Sequence, residues 1–282
     1  MSSDLSGPPA SPADSPPALE VIIRFKNSAG TLPAVLSALA AQTFQSFRLL
    51  GVDTGSSDSS GDLIRQAGGT IVFWKEAYSH PKVLNFGVEH AQGALILALS
   101  SHTSLTAPDT LERMVAAMQD PEVACVSAKW DEDPYYSDRV TWEEIQEKGL
   151  KFGSIYSNSM GMFRRSFWEE ERFDESLDGC EDYAWAVAQL RRGHVAVRMN
   201  YPFTYERSRN DRVHHLCLNT HLLAKKHGLE VAWMGAKGTV KELVKISAQR
   251  LLGRGDREEL TARYGEHREK LRAWMDSRRR TA

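Results

Sequence analysis

Apolar residues fall first into short unbroken runs and later into helical intervals. Val21-Ile22-Ile23 is a β-branched run of the kind found in buried strands, and order is expected to begin at Glu20. Leu32, Val35, Leu36, Leu39 and Ala40 recur at helical spacing, with Thr31 as expected N-cap and Pro33 in the first turn. Residues 47–52 read as a second strand, a short helix leads to Gly68-Gly69, and residues 70–74 read as a third. A helix over 81–91, stopped near Gly93, precedes a buried strand over 94–99. Thr106 with Asp109 resembles a capping box before a helix over 111–118, and residues 123–127 are expected to close the series as a fifth strand. Such β-α-β alternation predicts an α/β fold with a mostly parallel sheet flanked by helices. Ligands in such folds bind beyond the carboxyl ends of the strands, so the loops after Ile23, Val52 and Leu99 are the ones to search.

The second half is less regular. Residues 131–153 are polar and aromatic and suit a connecting or acceptor-facing segment. Beyond Leu216 the pattern is helical, over 216–223, 240–252 and 257–279. Residues 1–18, mainly Ser, Pro, Ala and Asp, read as a disordered tail. The expected organisation is a tail over 1–18, a main domain over 19–215 and a C-terminal helical extension over 216–282. Within the main domain the expected division falls between residues 19–130 and 131–215.

Composition narrows the function. A net charge of -2 argues against nucleic acid as a partner, because phosphate binding needs a concentrated basic surface. Cys125, Cys180 and Cys217 are too widely spaced for a disulfide framework or a zinc site, which points to a reducing, cytoplasmic compartment. No run is long enough to cross a bilayer, and the opening residues lack a basic-then-apolar leader. Peripheral contact at the inner face of a membrane is an added expectation. The basic residues Arg278-Arg279-Arg280 alone read first as a frayed, solvated end.

Candidate chemistry lies in the loops. A carboxylate at a strand end, as in Asp53-Thr54-Gly55-Ser56-Ser57-Asp58, can accept the N–H of a pyrimidine or a ribose hydroxyl; a plain Asp-Gly-Ser turn is the competing reading. Arg24, Lys26 and Asn27 follow the first strand, and Lys82 and Asn85 lie in a later helix. Cations at such a crevice can neutralise a diphosphate leaving group.

These segments together resemble family 2 glycosyltransferases, most closely the rhamnosyltransferase-like branch. The resemblance is carried by residues 21–27, Gln42-Thr43-Phe44, residues 52–58, residues 78–87, residues 157–165 and Glu181-Asp182-Tyr183-Ala184-Trp185-Ala186. It covers roughly 20–215 and implies a GT-A fold, a nucleoside-diphosphate sugar donor and an inverting displacement onto a carbohydrate or lipid-linked acceptor. By matching position, Asp53 is expected at the nucleoside and Lys82 at the diphosphate or nearby sugar, with 19–130 as the nucleotide-sugar-binding part and 131–215 as the acceptor or catalytic part. Arg24, Asn27, Ser56, Asn85 and Ser101 complete the expected donor site. Asp182 is the expected base, with Glu181 beside it; an acidic first helical turn is the structural reading of the same pair. Asn158, Arg164 and Trp185 are expected at the acceptor, although core packing is the better default for Trp185, one helical turn from Glu181.

One departure stands out. The family's Asp-x-Asp is here Ser100-Ser101-His102. His102 either ligates a divalent ion, manganese ahead of magnesium because imidazole suits a transition ion, or hydrogen-bonds the donor in a reaction that needs no metal. His215, or else His214, is the expected second ligand. The C-terminal helices are a candidate homodimer contact. A nucleotidyltransferase and a non-catalytic sugar- or nucleotide-binding relative compete. The first lacks its glycine-rich basic loop, and Lys82 with Glu181-Asp182 argues against the second.

Overall fold

The computed structural model describes residues 19–129, 134–151, 155–177, 179–205, 213–231, 236–253 and 256–279. The expected tail over 1–18 lies outside them. Four parallel strands, β1 (Leu19–Phe25), β2 (Phe47–Asp53), β3 (Thr70–Phe73) and β4 (Leu95–Ser100), are joined by the helices α1 (Leu32–Ala40), α2 (Ser60–Gln66) and α3 (His80–His90). Then come β5 (Thr103–Leu105), α4 (Thr110–Ala117), β6 (Val123–Ala128), β7 (Arg139–Val140), α5 (Trp142–Lys148), β8 (Met160–Arg164), α6 (Arg165–Glu170), α7 (Glu181–Arg191), β9 (Val195–Met199) and β10 (Phe203–Tyr205). The chain ends in three helices, α8 (Val213–His227), α9 (Ala236–Leu251) and α10 (Arg257–Arg279).

The main sheet runs β3-β2-β1-β4-β8-β6-β9-β7, and β5 pairs with β10 in a small separate ribbon. The expected fifth strand is therefore not the last. β8 inserts antiparallel between β4 and β6, and β9 and β7 extend the sheet beyond. That insertion positions the site. Because β8 runs backwards, its first residue, Met160, lies beside Leu99 at the carboxyl end of β4.

Strand side chains alternate between two cores, since successive residues of a strand point to opposite faces. Ile22, Leu50, Val52, Ile96 and Ala98 pack with α3 and α7 on one face. Val21, Ile23, Leu49, Leu97 and Leu99 pack with α1, α2 and α4 on the other. Burial on both faces is why these strands read as unbroken apolar runs.

The expected caps differ. Thr31 is helical in backbone and its hydroxyl donates to Ser28 O instead of capping α1. Asp109 precedes α4 without a side-chain cap bond. On α8, Leu223 and Ala224 join the core under α7, and Cys217 and Leu218 meet Ala273 of α10 in a separate cluster.

Candidate active site

The ends of β1, β2 and β4 open onto a crevice of 380 Å³, lined by Arg24, Ser28, Thr54, His80, Ser101 and His102 among others. Asp53, last in β2 and 7% exposed, accepts Gly55 N at 3.0 Å and Ser56 N at 2.8 Å through one oxygen, Oδ1. Gly55 has φ +102°, a conformation that costs a glycine nothing and lets the turn close on the carboxylate. Oδ2 has no protein partner among the described residues.

The loops after β1 and β2 clasp each other. Asn27, at φ 49°, accepts Ser57 N at 2.8 Å and donates its own backbone N–H to Ser56 Oγ at 3.1 Å. Asp58 accepts Ala29 N and Ser60 N, each at 3.0 Å. Hydrogen bonds, from the Ser60 hydroxyl above all, hold the Asp58 carboxyl below its usual range. Ser101 is tied to Ser28 by a 3.0 Å hydroxyl–hydroxyl bond. Asn27 and Ser56 thus act at the crevice mainly by shaping it.

Arg24 spans the two halves of the crevice. Its Nη1 lies 3.4 Å from His80 Nδ1, which is also 3.0 Å from the Tyr78 hydroxyl, and its Nη2 donates to Asn158 O at 3.4 Å. Asn158 N in turn donates to Asp182 Oδ2 at 2.9 Å, and Asn158 Oδ1 accepts the Tyr156 hydroxyl at 3.0 Å. The buried Asn158 Nδ2 makes no hydrogen bond of ordinary geometry, although the side chain is near enough to Glu181 to favour its charged form.

Glu181 and Asp182 form the first turn of α7, after the left-handed Gly179 and Cys180 at φ 88° and 67°. Glu181 is buried and Asp182 partly exposed. Burial first, then the neighbouring Asp182 charge, push Glu181 up to about 7; Arg24 opposes the shift. Burial also raises Asp182, against the backbone N–H groups of Asn158 and Tyr183 and the Arg24 charge. Two adjacent carboxyls crowded by protein cannot both ionise cheaply, so the pair favours holding a proton near neutrality.

Lys82 stands half-buried in the first turn of α3 and makes no ion pair among the described residues. The His102 ring meets Tyr205 edge-on at 4.8 Å. His214 and His215 fall in the first turn of α8, but their side chains lie outside the described residues. No group of three candidate metal-binding side chains occurs among the described residues.

Three expected site residues belong elsewhere. Asn85 is a buried hub whose Nδ2 donates to Phe173 O at 2.9 Å and Glu175 Oε1 at 3.0 Å, while its Oδ1 accepts Trp168 Nε1 at 3.0 Å and Phe173 N at 3.2 Å. Its full hydrogen-bonding capacity is spent on packing. Arg164 lies beside Leu95, at the opposite edge of the sheet, and donates to the carbonyls of Met118, Asp120 and Val123. Trp185 packs against Phe163 and Phe173 and donates to Glu171 O at 2.7 Å. Conversely, His80 and Tyr78 line the crevice without having been singled out. The signal was His80 directly before Pro81 at a helix start, within the quoted stretch 78–87.

The family model described as "Glycosyl transferase family 2" matches residues 20–196. A "PGL/p-HBAD biosynthesis glycosyltransferase" of Mycobacterium bovis is 26% identical over 162 residues, 56% of this chain and 59% of the relative. The chain thus spans about three-fifths of that relative's length. An O-antigen chain rhamnosyltransferase of Salmonella typhimurium is 24% identical over 228 residues, 71% of this chain and 73% of the relative. Among solved structures, the mannosyltransferase PcManGT from Pyrobaculum calidifontis, in complex with GDP-Man and Mn2+, aligns at TM-score 0.57 and 17% identity over 97% of this chain and 78% of its own. That likeness is one of fold.

Proposed function

The chain belongs to glycosyl transferase family 2, and from that premise we propose that it is an inverting glycosyltransferase. It moves a sugar from a nucleoside-diphosphate donor onto the hydroxyl of a carbohydrate or lipid-linked acceptor. The O-antigen rhamnosyltransferase and the PGL/p-HBAD enzyme support a role in building a surface polysaccharide or glycoconjugate. Residues 19–215 are the transfer domain in this reading, and 216–282 its helical extension.

The observation that carries the proposal is the chain of contacts from the donor-side loops to the carboxylates. Arg24, in register with Val52 of β2, reaches Asn158 O, and Asn158 N holds Asp182. A donor seated on Asp53 and a base at Asp182 would therefore open onto the same edge of the sheet.

The chemistry follows. The free Oδ2 of Asp53 accepts an N–H or hydroxyl of the nucleoside, and the clasped loops keep that oxygen in place. Asp182, the more exposed of the two carboxylates, takes the acceptor's hydroxyl proton. The freed oxygen forms a bond to the anomeric carbon as the bond from that carbon to the diphosphate breaks, its electron pair leaving with the phosphate. A single displacement of this kind inverts the carbon. Lys82 and Arg24 offset charge growing on the leaving group.

A divalent ion fits the donor chemistry of the loop after β4, where the imidazole of His102 suits manganese better than magnesium. His102 would hold it with His215 or His214. When bound, it would supply positive charge to the diphosphate.

A thermal-shift screen of nucleoside diphosphates and their sugars, with and without Mn2+, tests the donor half. Asp182→Asn tests the acceptor half: it should retain the nucleotide-induced shift and lose transfer. Normal turnover by that variant would remove the base assignment.

A further inference from the structure

Outside the residues that line the crevice, α9 and the turn that follows it show solvent an apolar stripe. Val240, Val244, Leu251 and Leu252 are 44%, 63%, 88% and 66% exposed. At 3.6 residues per turn, Val240, Val244 and Leu251 fall within about 40° of one another on the helix. The opposite face is spent on packing, with Thr239 and Ile246 buried. This is an amphipathic helix whose second apolar face has no partner among the described residues. Soluble surfaces seldom leave such a stripe uncovered.

The charges around the stripe identify what covers it. Between 236 and 257 the chain has six basic residues against two acidic ones, in a protein of net charge -2. Lys241 and Lys245 follow Val240 and Val244 by one position, so they flank the stripe, and both are exposed. Lys241 makes no ion pair among the described residues; Lys245 lies 3.4 Å from Glu242. At the C-terminal end of the stripe a 770 Å³ cavity between α9 and α10 combines Leu251 and Leu260 with Arg250, Arg257 and Tyr264. Arg250 stacks on Tyr264, with its guanidinium 5.7 Å from the ring centre. Apolar side chains that can enter an acyl layer are thus rimmed by cations that can meet phosphates.

We propose that α9, with the corner where it meets α10, docks the protein on an anionic lipid surface. The helix lies in the interface plane, Val240, Val244, Leu251 and Leu252 enter the bilayer boundary, and Lys241, Lys245, Arg250 and Arg257 contact phosphate headgroups. No helix among the described residues is long and apolar enough to cross a membrane, so the contact is peripheral. The proposal stands independently of the transfer chemistry.

The test is co-sedimentation of the full chain with phosphatidylglycerol-containing vesicles and with pure phosphatidylcholine vesicles, at low and high salt. The parent should bind the anionic vesicles, and salt should weaken binding. The double variant Leu251→Asp with Leu252→Asp, at two exposed positions, should abolish binding and keep the parent's circular dichroism and unfolding midpoint. Lys241→Gln and Lys245→Gln should each weaken binding by about fivefold. Absence of binding to anionic vesicles overturns the proposal. It is likewise overturned if the parent sediments as a dimer that the double variant splits, with vesicles left unbound, because the stripe is then a contact between copies of the chain.

Discussion

Two groups of carboxylates meet at the carboxyl edge of the sheet, and the protein treats them in opposite ways. On the donor side, Asp53 and Asp58 sit in loops and accept backbone N–H groups from their own and neighbouring turns. On the acceptor side, Glu181 and Asp182 are adjacent in one helical turn, where burial raises both. Asp58 is exposed and shifted down; Glu181 is buried and shifted up. In the proposed function the difference separates holding from reacting. A loop that positions a ligand is best served by acceptors that backbone N–H groups hold in place, whereas a base that must take a proton near neutral pH needs its charged form made less comfortable.

The largest effect expected from this contrast is in kinetics. Asp182→Asn should lower kcat by about 10²–10⁴-fold with donor affinity unchanged, the usual range for loss of a general base. Asp53→Ala should instead weaken donor binding by about tenfold or more, as expected for losing a charged hydrogen-bond acceptor. Steady-state kinetics with donor titration by calorimetry separates the two. A loss of donor affinity in the Asp182 variant equal to that in the Asp53 variant would erase the distinction.

Next comes stability. Glu181 has an ordinary value of 4.5 and is raised to about 7 in the fold. Below the lower value both folded and unfolded chains carry the proton. As pH rises between the two, the unfolded chain releases it first, so the fold loses stability until the folded group ionises as well. Glu181→Gln carries no such loss. It should therefore match the parent at acid pH and exceed it above neutrality by on the order of 3 kcal/mol in urea unfolding. A parent whose stability climbs steadily across that window, with the variant parallel to it, would show that the pair is not strained.

Arg24 should move the same balance less. Its charge opposes the rise of both carboxyls, so Arg24→Gln should shift the rising limb of the pH–activity curve upward. Arg24→Lys should restore most of the profile. A lower kcat with an unmoved limb would leave Arg24 a purely structural link to Asn158.

The sheet was far more legible than the site. β1, β2, β4 and β6 announce themselves because strands buried on both faces are continuous apolar runs. β8 does not. It carries Gly161, where a Cβ would run into the Tyr156 ring and the Ser157 carbonyl, and it ends at Arg164, which is spent on three carbonyls. Asp53 and the Glu181-Asp182 pair could be chosen only because the segments around them resemble one family, since a turn and an acidic first helical turn account for such carboxylates taken alone. Asn85 and Trp185 could not be sorted, because residue type and spacing do not reveal where a side chain's hydrogen bonds go. Asn85 makes four hydrogen bonds, all to Trp168, Phe173 and Glu175, 83 to 90 positions away.

The smallest effect is the one with the opposite sign. Asp58 is held below its usual 3.8, so its contribution is present above that value and lost as pH falls through the folded one. Asp58→Asn removes the charge and one acceptor together. Asp58 uses Oδ2 for Ala29 N and Oδ1 for Ser60 N, whereas an asparagine must turn its NH₂ toward one of those two donors. The variant should be slightly less stable than the parent at neutral pH, and the gap should close on acidification, when the parent's carboxyl is protonated. Because the group is exposed, added salt should narrow the gap. Urea unfolding of the Asp58 and Glu181 variants over one pH series sets the two regions side by side. Their deviations from the parent should grow with pH in opposite directions, down for Asp58→Asn and up for Glu181→Gln. If both grow upward, the donor loops carry strain as well, and the division between a holding side and a reacting side does not describe this protein.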